Sequence, residues 1–201
     1  MARLEFFFDC SSPWTYLAFE QIEGVANRTQ AELIWRPILV GGIFNTVNPT
    51  VYEQRSNPVP VKFRYYAKDL QDWARHGGIT IGSPSVFPVN SVKAMRGCFV
   101  AEEAGRLPAF ARAVFEHYWG AGEDISQPPV LEAIVREVGL DPAGFFEQIA
   151  RPEIKQKLRD NTEELAERGG FGSPTLFVDG DDMYFGNDRL VLVREALRAS
   201  G

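Results

Sequence analysis

The sequence predicts an α/β domain whose two halves are separated by a long all-helical insertion. Three observations predict it. RLEFFF (3–8) is an apolar run of strand length that stops at a turn rich in small polar residues. From Val61 to about Gly170, apolar residues recur at helical spacing with almost no strand signal. TLFV (175–178) and MYF (183–185) flank Asp179-Gly180-Asp181-Asp182, a hairpin turn by composition, and lead into a last helical stretch.

Each element has its own reason. Phe6, Phe7 and Phe8 in succession would face both sides of a sheet, as a central strand covered on both faces requires. A helix follows from Pro13 to about Ala26. Ser12 suits its N-cap and Pro13 its first position, and Trp14, Leu17, Ala18, Ile22 and Val25 repeat on one face. ELIWRPILV (32–40) is a second strand, with Pro37 marking a bulge, an edge or an end. Gly41-Gly42, Pro49, Pro58 and Pro60 make 41–60 a loop. Helices are expected over 62–77, 91–105, 107–122, 129–139, 141–150 and 154–169, joined by short Gly- and Pro-containing links. Asp188 starts the final helix. Neither end can close a sheet alone, so residues 1–45 and 170–201 form one α/β unit and 46–169 an inserted helical unit.

Composition narrows the function classes. A net charge of −6 excludes a general nucleic-acid binder, whose footprint is a basic patch. No run approaches the ~20 apolar residues of a membrane span. MARLEFFFD has no signal-peptide pattern, so a cytoplasmic protein is expected. Cys10 and Cys98 do not form a C-x-x-C pair, and His76 and His117 stand alone, so no metal site is expected.

Gly-Ser-Pro occurs twice, at 82–84 and 172–174, and only the second leads into the hairpin. A cis Ser173-Pro174 bond there would leave the Ser173 backbone free for an extended peptide ligand. A βαβ–ββα order, with a helix-opening turn and a proline before the third strand, is the arrangement of a thioredoxin-like fold. A redox protein would carry C-x-x-C at that turn, whereas this chain has Ser12-Pro13-Trp14-Thr15. Serine forms no disulfide, so thiol–disulfide exchange at this position is excluded. What remains is a helix N-terminus, which favours anions including thiolates, and a hydroxyl that can donate to a sulfur brought by a ligand.

FFFDCSSPWTYLA, FPVNSVKAMRG, GFGSPTLFVDG and FGNDRL together resemble the 2-hydroxychromene-2-carboxylate isomerase family, of the DsbA-like superfamily and close to kappa-class glutathione transferases. The resemblance spans nearly the whole chain. It implies glutathione as cofactor, with Ser12 bonding its sulfur and Ser173, before a cis Pro174, binding its backbone. Asn187 and Asp188 would hold the γ-glutamyl end, an Asp side chain matching an α-amino group; capping of the last helix explains Asp188 equally. Asn57 and Lys62 resemble a further ligand pair, although a solvated helix lysine accounts for Lys62 as well. Asn90 falls near the substrate pocket by analogy, and Trp73 and Phe44 either line that pocket or belong to the core. Cys10 is either a redox-sensitive thiol beside Ser12 or a buried apolar residue, the commoner fate of a free cysteine.

The activity implied is interconversion of 2-hydroxychromene-2-carboxylate and trans-o-hydroxybenzylidenepyruvate, with the glutathione thiolate as transient nucleophile. Two alternatives stand beside it: a kappa-like transferase or peroxidase, and a non-redox thioredoxin-fold binding module. The partners implied are a small aromatic keto acid, glutathione and a second copy of the chain, without nucleic acid or membrane.

Overall fold

The computed structural model describes residues 1–200. Four strands, β1 (Arg3–Phe8), β2 (Glu32–Pro37), β3 (Thr175–Val178) and β4 (Asp182–Phe185), form one sheet in the order β2-β1-β3-β4. β1 runs parallel to β2, with Phe6 opposite Trp35, and antiparallel to β3, with Phe6 opposite Leu176. The parallel pair is joined by α1 (Pro13–Thr29), and the antiparallel pair is separated by the whole helical segment. This is a thioredoxin-like sheet with a large helical insertion.

The triple Phe explains how the sheet is covered. Phe6 and Phe8 stack at 5.6 Å and meet Trp35 and Phe19 on the face packed by α1. Phe7 points the other way, edge-on to Phe177 at 5.6 Å, in a smaller cluster with Ile38, Ile43 and Leu165. The larger core runs from Phe6 and Phe8 through α1 into the helical segment without a break.

A buried charge sits on the Phe7 face. Glu5 is 6% exposed, and both its oxygens accept from Arg168, at 3.0 and 3.1 Å. The Arg168 guanidinium also lies 3.7 Å from the Phe177 ring centroid and donates to Gly180 O at 2.6 Å.

The helical segment comprises α2 (Val40–Thr46), α3 (Thr50–Ser56), α4 (Pro60–Gly77), α5 (Val92–Glu103), α6 (Leu107–Phe115), α7 (Pro128–Glu137), α8 (Pro142–Ile149) and α9 (Pro152–Glu167). Pro60, Pro128, Pro142 and Pro152 each stand first in a helix, where the missing N–H costs nothing, so these prolines punctuate the segment rather than break it. α10 (Leu190–Ala199) closes the chain.

Three expectations need correction. The second strand ends at Pro37 rather than residue 40, because Leu39 already N-caps α2. The expected loop over 41–60 contains both α2 and α3. Gly41-Gly42 sits inside α2, where a Cβ on residue 42 would come 3.0 Å from Thr162 Cγ2 of α9, so this glycine serves close packing instead of a turn. The helix expected to reach residue 122 narrows to α6 and then widens into a π turn over Glu116–Gly120. Among the described residues, no helix is long and apolar enough to cross a membrane.

Arg168→Met should leave the buried Glu5 carboxylate with Arg36 alone, whose Nε lies 3.6 Å from it, and lower unfolding stability by about 3 kcal/mol, read from urea midpoints. A loss within about 0.5 kcal/mol, the range of exposed pairs, would show that Glu5 regains water.

Candidate functional site

The site grows from the end of β1. Asp9, the first residue past the strand, is 1% exposed, and its carboxylate is fully engaged. One oxygen accepts from Ser11 N at 2.9 Å; the other accepts from Val40 N at 2.9 Å and from the Ser91 hydroxyl at 3.1 Å. A single carboxyl therefore ties the turn to the starts of α2 and α5. Burial pushes its pKa above the ordinary carboxylate range, against the opposing pull of the Ser11, Val40 and Ser91 hydrogen bonds.

The backbone of Asp9 reaches across the sheet. Its N–H donates to Ser173 Oγ at 3.0 Å, and that oxygen shares a 2.8 Å hydrogen bond with the buried Thr15 hydroxyl. Ser12 caps α1, its Oγ accepting from Thr15 N at 3.3 Å and donating to Ser173 O at 3.2 Å. The Ser173-Pro174 bond is cis, as expected, and Phe87-Pro88 is a second cis bond that the sequence did not signal. Pro174 O accepts from Gly186 N at 3.1 Å, which brings the 187–189 segment beside the proline loop. The π turn holds the rear of the site: Trp119 Nε1 donates to Cys10 O at 2.9 Å and the Tyr118 hydroxyl to Val86 O at 2.9 Å.

Three cavities that share wall residues open around this turn. One of about 430 Å³ is bordered by Ser12, Ser173, Phe171 and Phe185. Gly172 lies in its wall, where a Cβ would come 2.8 Å from the Phe185 ring. A second, of about 390 Å³, is bordered by Asp9, Phe44, Tyr52, Phe87 and Asn90. The third, of about 520 Å³, is bordered by Trp14, Asn57, Lys62, Phe63 and Tyr66. Arg55 borders all three.

The expected site residues thus fall into groups. Ser12, Ser173 and Pro174 meet directly. Asn57, at the end of α3, and Lys62, on α4, share the third cavity. Phe44 and Asn90 share the second, where Asn90 Oδ1 accepts from Val92 N at 3.1 Å. Trp73 is elsewhere: it packs against the core and edge-on to His76 at 5.8 Å, bordering none of these cavities. Asn187 is buried, and its side-chain amide nitrogen has no partner among the described residues. Asp188 does not cap the last helix; its exposed carboxylate takes a hydrogen bond from Arg189 at 2.6 Å.

Cys10 lies buried in the same core as Phe6 and Phe8, beside Cys98. Burial, with Cys98 next to it, pushes its thiol well above the usual range, so it stays protonated and inert near neutral pH. Asp9, Thr15 and Arg55 were not picked out from the sequence. Asp9 and Thr15 lie within motifs already quoted, whereas nothing local distinguishes Arg55.

Residues 3–198 match the DSBA-like thioredoxin domain. The chain is 28% identical over 187 residues to a 2-hydroxychromene-2-carboxylate isomerase of Sphingobium xenophagum, covering 93% of each. It is 30% identical over 207 residues to human glutathione S-transferase kappa 1, covering 96% of this chain and 90% of that one. A solved 2-hydroxychromene-2-carboxylate isomerase superposes with a TM-score of 0.82 at 25% identity, over 98% of this chain and 95% of that one.

Because its folded pKa is raised, Asp9 contributes stability that is lost as pH rises from the ordinary carboxylate value through the raised one. Wild type should therefore gain stability relative to Asp9→Asn as pH is lowered from neutral toward the ordinary carboxylate value, measured by urea unfolding. Parallel profiles would show an unshifted group.

Proposed function

The chain belongs to the DSBA-like thioredoxin family, and from that premise we propose that it is a glutathione-dependent isomerase interconverting 2-hydroxychromene-2-carboxylate and trans-o-hydroxybenzylidenepyruvate. The observation that carries this reading is the hydroxyl of Ser12 at the N-cap of α1, facing the carbonyl of Ser173 before a cis proline. Kinship with curated isomerases over nearly the whole chain supports the reaction class.

The residues fit glutathione. Asn187 offers a buried donor without a partner, which a carbonyl or carboxylate oxygen would satisfy. Asp188 carries only an exposed pairing with Arg189, weak enough to yield to an ammonium group. Lys62 and Asn57 supply a cation and an amide on one cavity wall. When bound, glutathione supplies a thiol whose ionised form adds reversibly to the carbon β to a ketone, so that the intervening double bond becomes single and can rotate.

The chain's own contribution is to favour the charged sulfur and orient the acid. Ser12 spends its only proton on Ser173 O over 3.2 Å, a long bond that a negative acceptor would outcompete. The N-terminus of seventeen-residue α1 adds a favourable dipole at the same point. Thr15 and Asp9 hold Ser173 while the Ser12 hydroxyl swings. A second copy of the chain is the partner proposed for α4, whose Val61, Phe63, Tyr65 and Tyr66 stand in solvent.

Relatedness to a kappa transferase supports one other reading, in which the same thiolate leaves with the acceptor as a conjugate. An absorbance time course of 2-hydroxychromene-2-carboxylate, with and without glutathione, decides between them. A glutathione-dependent approach to one equilibrium from either side, with glutathione recovered, supports the isomerase; stoichiometric loss of glutathione supports the transferase. Ser12→Ala should cost about 1 kcal/mol of stability through the lost cap and about a hundredfold in the glutathione-dependent rate. An unchanged rate would remove Ser12 from the mechanism.

A further inference from the structure

We propose that Arg55 anchors the carboxylate of the electrophilic substrate and so selects keto acids over uncharged enones. This rests on the isomerase reading above and adds to it the residue that recognises the acid.

The placement of Arg55 is the first ground. It lies on α3, near the end of a helix with no buried residue, and its exposed side chain comes within cation–π distance of two aromatic rings from outside that helix. The guanidinium carbon is 5.2 Å from the Phe44 centroid and 5.3 Å from the Phe87 centroid. These ring contacts restrain the guanidinium, and none of the side-chain hydrogen bonds among the described residues uses its N–H donors. Arg55 is also where the three cavities meet, within reach of the Ser12 turn on one side and of the Phe44, Tyr52 and Phe87 wall on the other.

Charge is the second ground. Among the described residues, no carboxylate forms an ion pair with Arg55. The three cavity walls contain one acid, Asp9, and its oxygens already receive Ser11 N, Val40 N and the Ser91 hydroxyl. The cleft therefore presents two cations, Arg55 and Lys62, with no free counter-charge. Lys62 borders only the third cavity, beside Asn57. Arg55 alone also borders the aromatic second cavity, where a flat aromatic acid would rest against Phe44 and Phe87 with its carboxylate on the guanidinium fork.

The test uses the whole chain, with Arg55→Gln and Arg55→Lys beside wild type. For 2-hydroxychromene-2-carboxylate, KM should rise about ten- to a hundredfold in Arg55→Gln, the loss of a charge-assisted hydrogen bond, with kcat much less affected and partial recovery in Arg55→Lys. Glutathione affinity, by calorimetry, should be unchanged in both variants. A lowered glutathione affinity with the acid's KM unchanged would overturn the proposal and give Arg55 to the cofactor.

A second measurement does not depend on turnover. Calorimetric binding of trans-cinnamate and of trans-cinnamamide to wild type should favour the acid, and Arg55→Gln should erase that preference. An equal preference in wild type and variant, or none in wild type, would overturn the proposal. Should wild type bind cinnamate by Arg55 yet show no glutathione-dependent isomerisation, the isomerase reading alone would fall.

Discussion

Everything at the site hangs on one buried carboxyl. Asp9 sits where the central strand stops, and its side chain and backbone bind four separate stretches of chain: the turn itself, the start of α2, the start of α5 and the Ser173 loop. Burying an acid is unfavourable, and the penalty is tolerable here only because each oxygen meets a donor. The same bonds fix the distance between β1 and the helical segment, and hence the cavities between them. Replacing Asp9 by an apolar residue would free Val40 N and Ser91 as well as the turn, so the damage would spread through both halves of the molecule.

The sequence revealed most of what is local. Three adjacent Phe announced a strand covered on both sides, Ser-Pro announced a helix start, and the order of elements around the hairpin, rather than the Gly-Ser-Pro tripeptide, announced the cis bond. It was silent where neighbours far along the chain decide. Val40–Thr46 is too short for a helical period to stand out around Gly41-Gly42, and its helicity comes from packing Ile43 against Leu165 and residue 42 against Thr162. Trp73 reads equally as core or as pocket until the fold chooses. Arg55 looks like any solvated arginine, because Phe44 and Phe87 come to it from eleven and thirty-two residues away. Asp188 looked like a cap, but the 3-10 turn at Asn187–Arg189 displaces the start of α10 past it.

The two halves of the molecule divide the work in the proposed reaction. The sheet half supplies what is common to the fold: a helix N-terminus, a proline loop and a hydrogen-bond knot that holds them in register. The helical half supplies the walls, through Phe44, Arg55, Lys62 and Phe87. In that reading, differences between an isomerase and a transferase would reside in the wall residues of α2, α3 and the segment before α5.

The cation pair in the cleft has a consequence for how ligands arrive. The chain as a whole carries a net charge of −6, so an anion far from it meets repulsion, whereas one at the mouth meets Arg55 and Lys62. At physiological ionic strength the Debye length is about 8 Å, short enough to silence the distant acidic surface while leaving the nearby cations to act. Anionic ligands would thus dock faster as salt is raised from very low values, then more slowly once the cleft itself is screened. In the proposed reaction, the ionic medium as well as the pocket would govern how readily an acid enters.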